Sequence, residues 1–245
     1  MSKIGDINYN KFGSKMEIIA YRTAHNIDVY FEEYDWIAKN RKAGDFRLGK
    51  IKCPYEPRVC NIGYNGEGKY NATKNNKKTE CYKTWKRMLE RCYDGTHPAY
   101  EDVIVCEEWH NFQNFAKWYE ENYYTISNEK VCLDKDILSN NKIYSSSTCI
   151  FVPEKINLIF SGGFNGVTWE EKYNKWMVRV WVDGKRKYLG LYNNYDEAFQ
   201  IYKKEKEKYM QNVIISYKNI IPQYQYNILY NIMYNYNIKE VKHER

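Results

Sequence analysis

Lys175-Trp176-Met177-Val178-Arg179-Val180-Trp181-Val182, Asp183-Gly184 and Lys185-Arg186-Lys187-Tyr188-Leu189-Gly190-Leu191-Tyr192 are the residues from which the fold is read. The first octet alternates in period two, the pattern of a strand with one buried face. Asp183-Gly184 suits a two-residue turn with positive φ, so the second octet returns as an antiparallel partner. Trp176, Val178 and Val180 are expected to face a core. Arg179 and Trp181 then face the other way, joined by Lys185, Arg186 and Tyr188 from the turn and the returning strand. Next, Asn193-Asn194-Tyr195 precedes Asp196-Glu197-Ala198-Phe199, a helix start. Ala198, Ile201, Tyr202 and Tyr209 share its apolar side as far as about Met210. The expected unit is a small sheet with one helix laid across it.

Working towards the amino end, Ser161-Gly162-Gly163 marks a boundary, and the preceding segment mixes short helices and strands. Tyr82, Trp85, Met88, Leu89 and Cys92 fall at helical spacing, and Asp94-Gly95-Thr96-His97-Pro98 ends that helix. A second helix is predicted from about Glu107, with Trp109, Phe112, Phe115, Ala116 and Tyr119 on its core side. Val131–Asp136, a polar turn at Asn140-Asn141, and Cys149-Ile150-Phe151-Val152 follow. The Asn- and Lys-dense run from Asn71 to Thr79 reads as another boundary. Before it, Met16–Tyr21 and Ile27–Phe31 read as a hairpin, with Phe46, Leu48 and Ile51 as a third strand. Gly63–Gly68 lacks the strand–helix context and the Lys-Ser/Thr pair of a phosphate loop. Beyond Val213 the chain alternates Tyr, Asn and Ile, and a docking helix is expected between Gln223 and Ile238. The fold class is therefore α+β and multi-domain: a β-rich domain over 1–78, a central domain over 79–160, a sheet-plus-helix module over 163–213 and a Tyr/Asn-rich tail over 214–245.

Composition narrows the function classes. The 245 residues are 43% hydrophobic and 28% charged, which excludes wholesale disorder, and no apolar run is long enough for a membrane span. Residues Met1–Asn10 have no apolar core, so no secretory signal is expected and the chain is expected in the cytoplasm. The seven cysteines include no Cys-x-x-Cys pair, so buried thiols are expected and structural zinc is not. Charge is uneven: residues 1–78 carry 15 Lys/Arg against 9 Asp/Glu, residues 79–160 carry 9 against 13, and residues 161–245 carry 14 against 9. Basic ends around an acidic centre fit a protein whose ends hold a polyanion. A solvent-facing sheet bearing cations among aromatics adds to this, because guanidinium groups read guanine edges and rings pack on bases or sugars. The alternative is a cation–π cluster that merely blunts an exposed sheet.

Gly166-Val167-x-Trp169, Lys175-Trp176, Tyr188–Tyr192 and Asp196-Glu197-Ala198 together resemble the ethylene-response-factor (APETALA-type) DNA-binding domain, over about Gly166 to Met210. The resemblance implies a three-stranded sheet backed by one helix and inserted into the major groove. It places Thr168, Arg179, Trp181, Arg186 and Tyr188 at DNA-contact positions, and Lys185 joins them from its place in the turn.

The central segment is similar to phage-borne HNH-type homing endonucleases. Tyr82–Tyr93, Tyr100, Val105–Trp109 and Phe112-x-x-Phe115 carry that likeness, followed by Leu133-Asp134-Lys135-Asp136 through Asn141, Tyr144-Ser145 and Thr148–Pro153. The resemblance implies a ββα-metal site using Mg²⁺ or another divalent cation, and a location in the host-cell cytosol. Asp134 falls where a metal ligand would sit, with Asp136 and Asn141 as further ligands. Lys135 stands at the place of the general-base histidine and Thr148 where many members have Asn. His97 or His110 would supply the base only if folding brought one to the hairpin. The combined expectation is a double-stranded DNA-binding protein with metal-dependent endonuclease activity. The rivals are a catalytically dead DNA-binding regulator and a protein–protein interaction module. No membrane partner is expected, and the sequence leaves the oligomeric state open.

Overall fold

Alternation, turn chemistry and helical spacing together produce a mixed α+β chain, seen in a computed structural model that describes residues 2–139, 141–161 and 166–235. Two compact units emerge: residues 1–121 with 142–147, and residues 122–141 with 148–245. The boundary expected at 78/79 falls inside the first unit, and the stretch 79–160 is shared between the two. The Gly162-Gly163 boundary and Asn140 of the polar turn lie outside the described residues.

The first unit opens with β1 (Ile7–Tyr9), β2 (Lys15–Thr23), β3 (Asn26–Phe31) and β4 (Trp36–Arg41), an antiparallel sheet in sequence order. Met16, Ile18, Ile27, Val29, Phe31 and Ala38 bury one face of it against Ala43, Phe46, Ile51 and Cys53. The expected third strand does not form over residues 43–47. Residues 43–47 form the short helix α1 (Ala43–Arg47), which buries Phe46 and leaves Leu48 60% exposed. In a strand those two side chains would share a face.

A small hairpin, β5 (Thr73–Lys74) with β6 (Lys77–Lys78), precedes α2 (Glu80–Tyr93). Thr79 caps α2 by accepting the Tyr82 N–H at 3.2 Å. Trp85, Met88 and Leu89 are buried on α2 as the spacing predicts. The next helix is shorter than expected. Glu107–His110 is a 3₁₀ turn and α3 (Phe112–Asn122) begins after Asn111, while Trp109, Phe112, Phe115 and Ala116 do form the expected core stripe. Before that turn lies β7 (Ile104–Val105). After α3 the chain supplies β8 (Val131–Asp134) to the second unit and returns with β9 (Ile143–Tyr144), which pairs parallel with β7.

The second unit continues with β10 (Ile150–Pro153), antiparallel to β8, then α4 (Glu154–Phe160). β11 (Val167–Glu170), β12 (Lys175–Val182) and β13 (Lys185–Tyr192) form the three-stranded sheet read from the sequence, crossed by α5 (Tyr195–Ser216). Asn194 starts that helix, its Oδ1 accepting the N–H groups of Asp196 at 2.7 Å and Glu197 at 3.2 Å. The helix runs past Met210 and joins two cores. Ala198, Phe199 and Tyr202 pack on Val167, Trp176, Val178 and Val180. Met210, Val213 and Ile214 pack with Ile150, Val152, Ile156, Tyr226 and Leu229. Ile201 is more exposed than its spacing predicts. The residues after 213 include α6 (Gln223–Asn235), so the start of the expected tail is docked helix, and the predicted helix residues 236–238 lie outside the described residues.

Two details set the sheet. A Cβ at Gly166 would run into the Tyr202 ring and the Arg179 carbonyl, so a glycine is required where β11 begins. Its own carbonyl accepts the Arg179 N–H at 2.7 Å. The β3–β4 and β11–β12 connections also share one geometry. Glu32–Tyr34 and Glu171–Tyr173 are 3₁₀ turns closed by left-handed residues, Asp35 and Asn174, and each is followed by an aromatic cross-strand pair, Phe31–Trp36 and Trp169–Trp176.

Candidate nucleic-acid interface

Asp183 and Gly184 both take positive φ, 48° and 75°, giving the tight turn that the sequence predicts. Its register fixes the faces: Arg179 opposes Tyr188, Val180 opposes Lys187, Trp181 opposes Arg186 and Val182 opposes Lys185. Residues directly opposite share a face, so Arg179, Tyr188, Trp181 and Arg186 stand together, opposite the core side of Trp176, Val178 and Val180, with Trp181 at the strand's end also bordering a cavity shared with Lys206 and Tyr209 of α5. Tyr188 is 57% exposed and Trp181 43%. Arg186 and Thr168 are exposed and Arg179 is half-buried. The Arg186 guanidinium lies 5.2 Å from the Trp181 ring centre. Beyond Arg179 a β-bulge adds Leu189 to β13, so that Leu189 and Tyr192 both pack with the helix-side core.

Lys185 is a correction. Its place opposite Val182 puts it on the side of the register that faces the helix, not beside Arg179 and Trp181. Lys187 shares that side and pairs with Glu205 of α5 at 2.5 Å. The turn itself is tied down. Asp183 receives the Lys155 ammonium at 2.7 Å and the Tyr209 hydroxyl at 3.2 Å, and Lys155 holds its carboxyl below the usual range. The face thus presents two guanidinium groups and two rings on a ribbon anchored at its turn.

No family model matches this chain, and no curated protein and no solved structure matches it.

The expected catalytic residues are divided between the two units. Asp134 ends β8, and its Oδ1 accepts the backbone N–H groups of Asp136 and Ile137, each at 2.8 Å. That carboxylate closes a turn. Burial pushes its pKa up, against the two amides that favour the charged form. The folded chain therefore keeps this proton to higher pH than the unfolded chain does, and stability falls as pH rises through the folded pKa. Lys135 is buried and its ammonium pairs with the exposed Asp136. Asn141 is exposed, its N–H directed at the Ser139 hydroxyl at 3.4 Å. One oxygen of Asp134 accepts two backbone amides and one oxygen of Asp136 pairs with the Lys135 ammonium; among the described residues no group of three or more His, Cys, Asp or Glu is placed to hold a metal ion.

His97 and His110 belong to the first unit, the Asp134 hairpin to the second. His97 is an exposed turn residue lying edge-on to Tyr100 at 6.3 Å. His110 Nε2 sits 3.1 Å from the Val105 carbonyl, an acceptor, so Nε2 carries the proton of that contact.

A cavity of about 900 Å³ in the second unit is lined by Glu129, Glu154, Lys155, Trp181, Lys206 and Tyr209, among others. Its acids are engaged. Glu129 accepts the Tyr217 hydroxyl at 2.8 Å, Glu154 meets Lys130 at 3.4 Å and Asp183 holds Lys155. All seven cysteines are present as thiols, and burial pushes the Cys81 thiol up to about 12 and Cys53 to about 11, which keeps both inert as nucleophiles at neutral pH. Among the described residues no helix is long and apolar enough to cross a membrane.

Proposed function

We propose that this chain is a double-stranded DNA-binding protein that seats the open face of β11–β13 in the major groove. One observation carries this reading: the register gathers Arg179, Arg186, Trp181 and Tyr188 on the face that α5 does not cover. Folding gains little from exposed rings and separated cations. A duplex uses all four, since its major groove admits a β-ribbon, its guanines accept guanidinium donors and its phosphates attract both arginines. The likeness to the APETALA-type module points the same way.

A second reading, metal-dependent DNA cleavage on the Asp134 hairpin, draws support from the antiparallel pair β8 and β10, with β9 between them in sequence and α4 directly after. Against it, Lys135 presents an ammonium where a proton acceptor is required, and one oxygen of each neighbouring carboxylate already has a partner. The best-supported function is therefore binding without hydrolysis, as in a regulator. With supercoiled plasmid and Mg²⁺ or Mn²⁺, the full chain is expected to retard the DNA in a salt-sensitive way and leave it supercoiled. Open-circle or linear product that EDTA and Asp134→Ala both abolish would establish the nuclease instead. No retardation of any duplex would leave the interaction module as the surviving interpretation.

A further inference from the structure

The run Asn71–Thr79 folds into the β5–β6 hairpin, and this hairpin is electrostatically unfavourable as it stands. Asn75 and Asn76 take φ of 51° and 59°, the two left-handed residues of a tight hairpin turn. That turn sets Lys74 directly opposite Lys77 and Thr73 opposite Lys78. All three lysines are exposed, and among the described residues none has a carboxylate within salt-bridge distance. Like charges directly opposite one another disfavour a hairpin, and two-residue strands have little else to offset it.

The hairpin is nonetheless anchored. The Thr79 N–H donates to the Ala72 carbonyl at 3.0 Å, closing the base of the finger. The same residue caps α2, and the Lys78 ammonium lies 5.7 Å from the Tyr82 ring on that helix. Lys74 and Lys77 thus share one face of a short exposed projection, with Lys78 on the other beside Tyr82, and a bound anion would relieve the repulsion of the opposed pair.

We propose that the β5–β6 hairpin is a second nucleic-acid contact, a sequence-independent clamp in which Lys74, Lys77 and Lys78 bind DNA phosphates. The identity of the polyanion rests on the DNA reading of the C-terminal sheet; the phosphate chemistry rests on the hairpin alone. Lysines bring charge without base readout, so the contact adds affinity and salt dependence but no specificity.

The test is duplex affinity of the full chain across a salt series, for the natural protein and for Lys74→Ala/Lys77→Ala/Lys78→Ala. Each lost phosphate contact removes about 0.9 from the log–log salt slope, so the triple variant is expected to lose about 2 to 3. Its preference among duplex sequences stays the same. Its melting temperature stays level or rises, because the opposed charges are gone, and Lys→Arg at the three positions preserves the slope. If the natural protein binds duplex and the triple variant keeps the same slope, the clamp is refuted while the sheet reading stands. Loss of slope in the hairpin variant, with binding unaffected by Arg179→Ala/Arg186→Ala, would keep the clamp and refute the sheet. A natural protein that binds no duplex overturns both.

Discussion

Arg179→Ala combined with Arg186→Ala is expected to weaken duplex binding roughly a hundredfold or more while leaving the melting temperature unchanged. Each arginine that reaches a base edge contributes about 1–3 kcal/mol, and the two stand on neighbouring strands of one face. Neither belongs to the core formed by Val167, Trp176, Val178, Val180, Ala198, Phe199 and Tyr202. The loss should therefore appear in binding and not in stability. Trp181→Ala should follow in the same direction, because its ring lies against the Arg186 guanidinium and offers a surface for a base or sugar. Lys187→Ala is the internal control. That side chain serves Glu205 on the helix side, so its loss should remove only a diffuse charge effect. Binding isotherms at fixed salt, with melts of the same samples, separate the two contributions.

Trp85→Ala should destabilise the first unit severely. Trp85 is fully buried, its ring 5.4 Å from both Tyr82 and Phe112, and its indole N–H donates to the Trp109 carbonyl at 2.7 Å. Truncating a buried tryptophan costs about 3–5 kcal/mol through lost burial and the cavity left behind. Orphaning the buried carbonyl adds about 1–3 kcal/mol. Against a total stability of roughly 5–15 kcal/mol for a domain, this is enough to unfold the unit at ordinary temperature. Trp85→Phe keeps most of the volume but loses the hydrogen bond and a smaller part of the packing, so a urea melt should place it between the natural chain and Trp85→Ala. Equal midpoints for all three would mean that the Trp85–Trp109 contact contributes nothing to the fold.

The residues that spoke clearly in the sequence are those whose period is long and whose turn chemistry is specific. The α2 stripe of Trp85, Met88 and Leu89 and the Val178–Val180 alternation around Asp183-Gly184 both emerge where they are predicted. Short elements were harder to read. Phe46 and Leu48 have a strand's spacing, with Ile51 out of that period, yet a five-residue helix followed by a loop buries Phe46 and Ile51 and exposes Leu48. In β4 only Ala38 is buried, so Trp36–Arg41 lacks an apolar stripe to declare it. Asn75-Asn76 carried a turn signal that its lysine-rich flanks concealed. At the candidate site, alternation alone could assign Arg179 and Trp181, but Lys185 required the turn register, and the Leu189 bulge has no marker beyond the adjoining Gly190. The engagement of Asp134 by two backbone amides, and of His110 by a carbonyl, depends on tertiary geometry that spacing does not encode.

The open face of β12 and β13 is tested most directly by the indole N–H signals of the seven tryptophans in a proton–nitrogen correlation spectrum, titrated with a short duplex and assigned with Trp181→Phe. Trp181 should shift progressively to saturation, with the buried Trp85 and Trp109 signals unmoved. A duplex that binds while the Trp181 signal stays in place would contradict the assignment of this face to DNA.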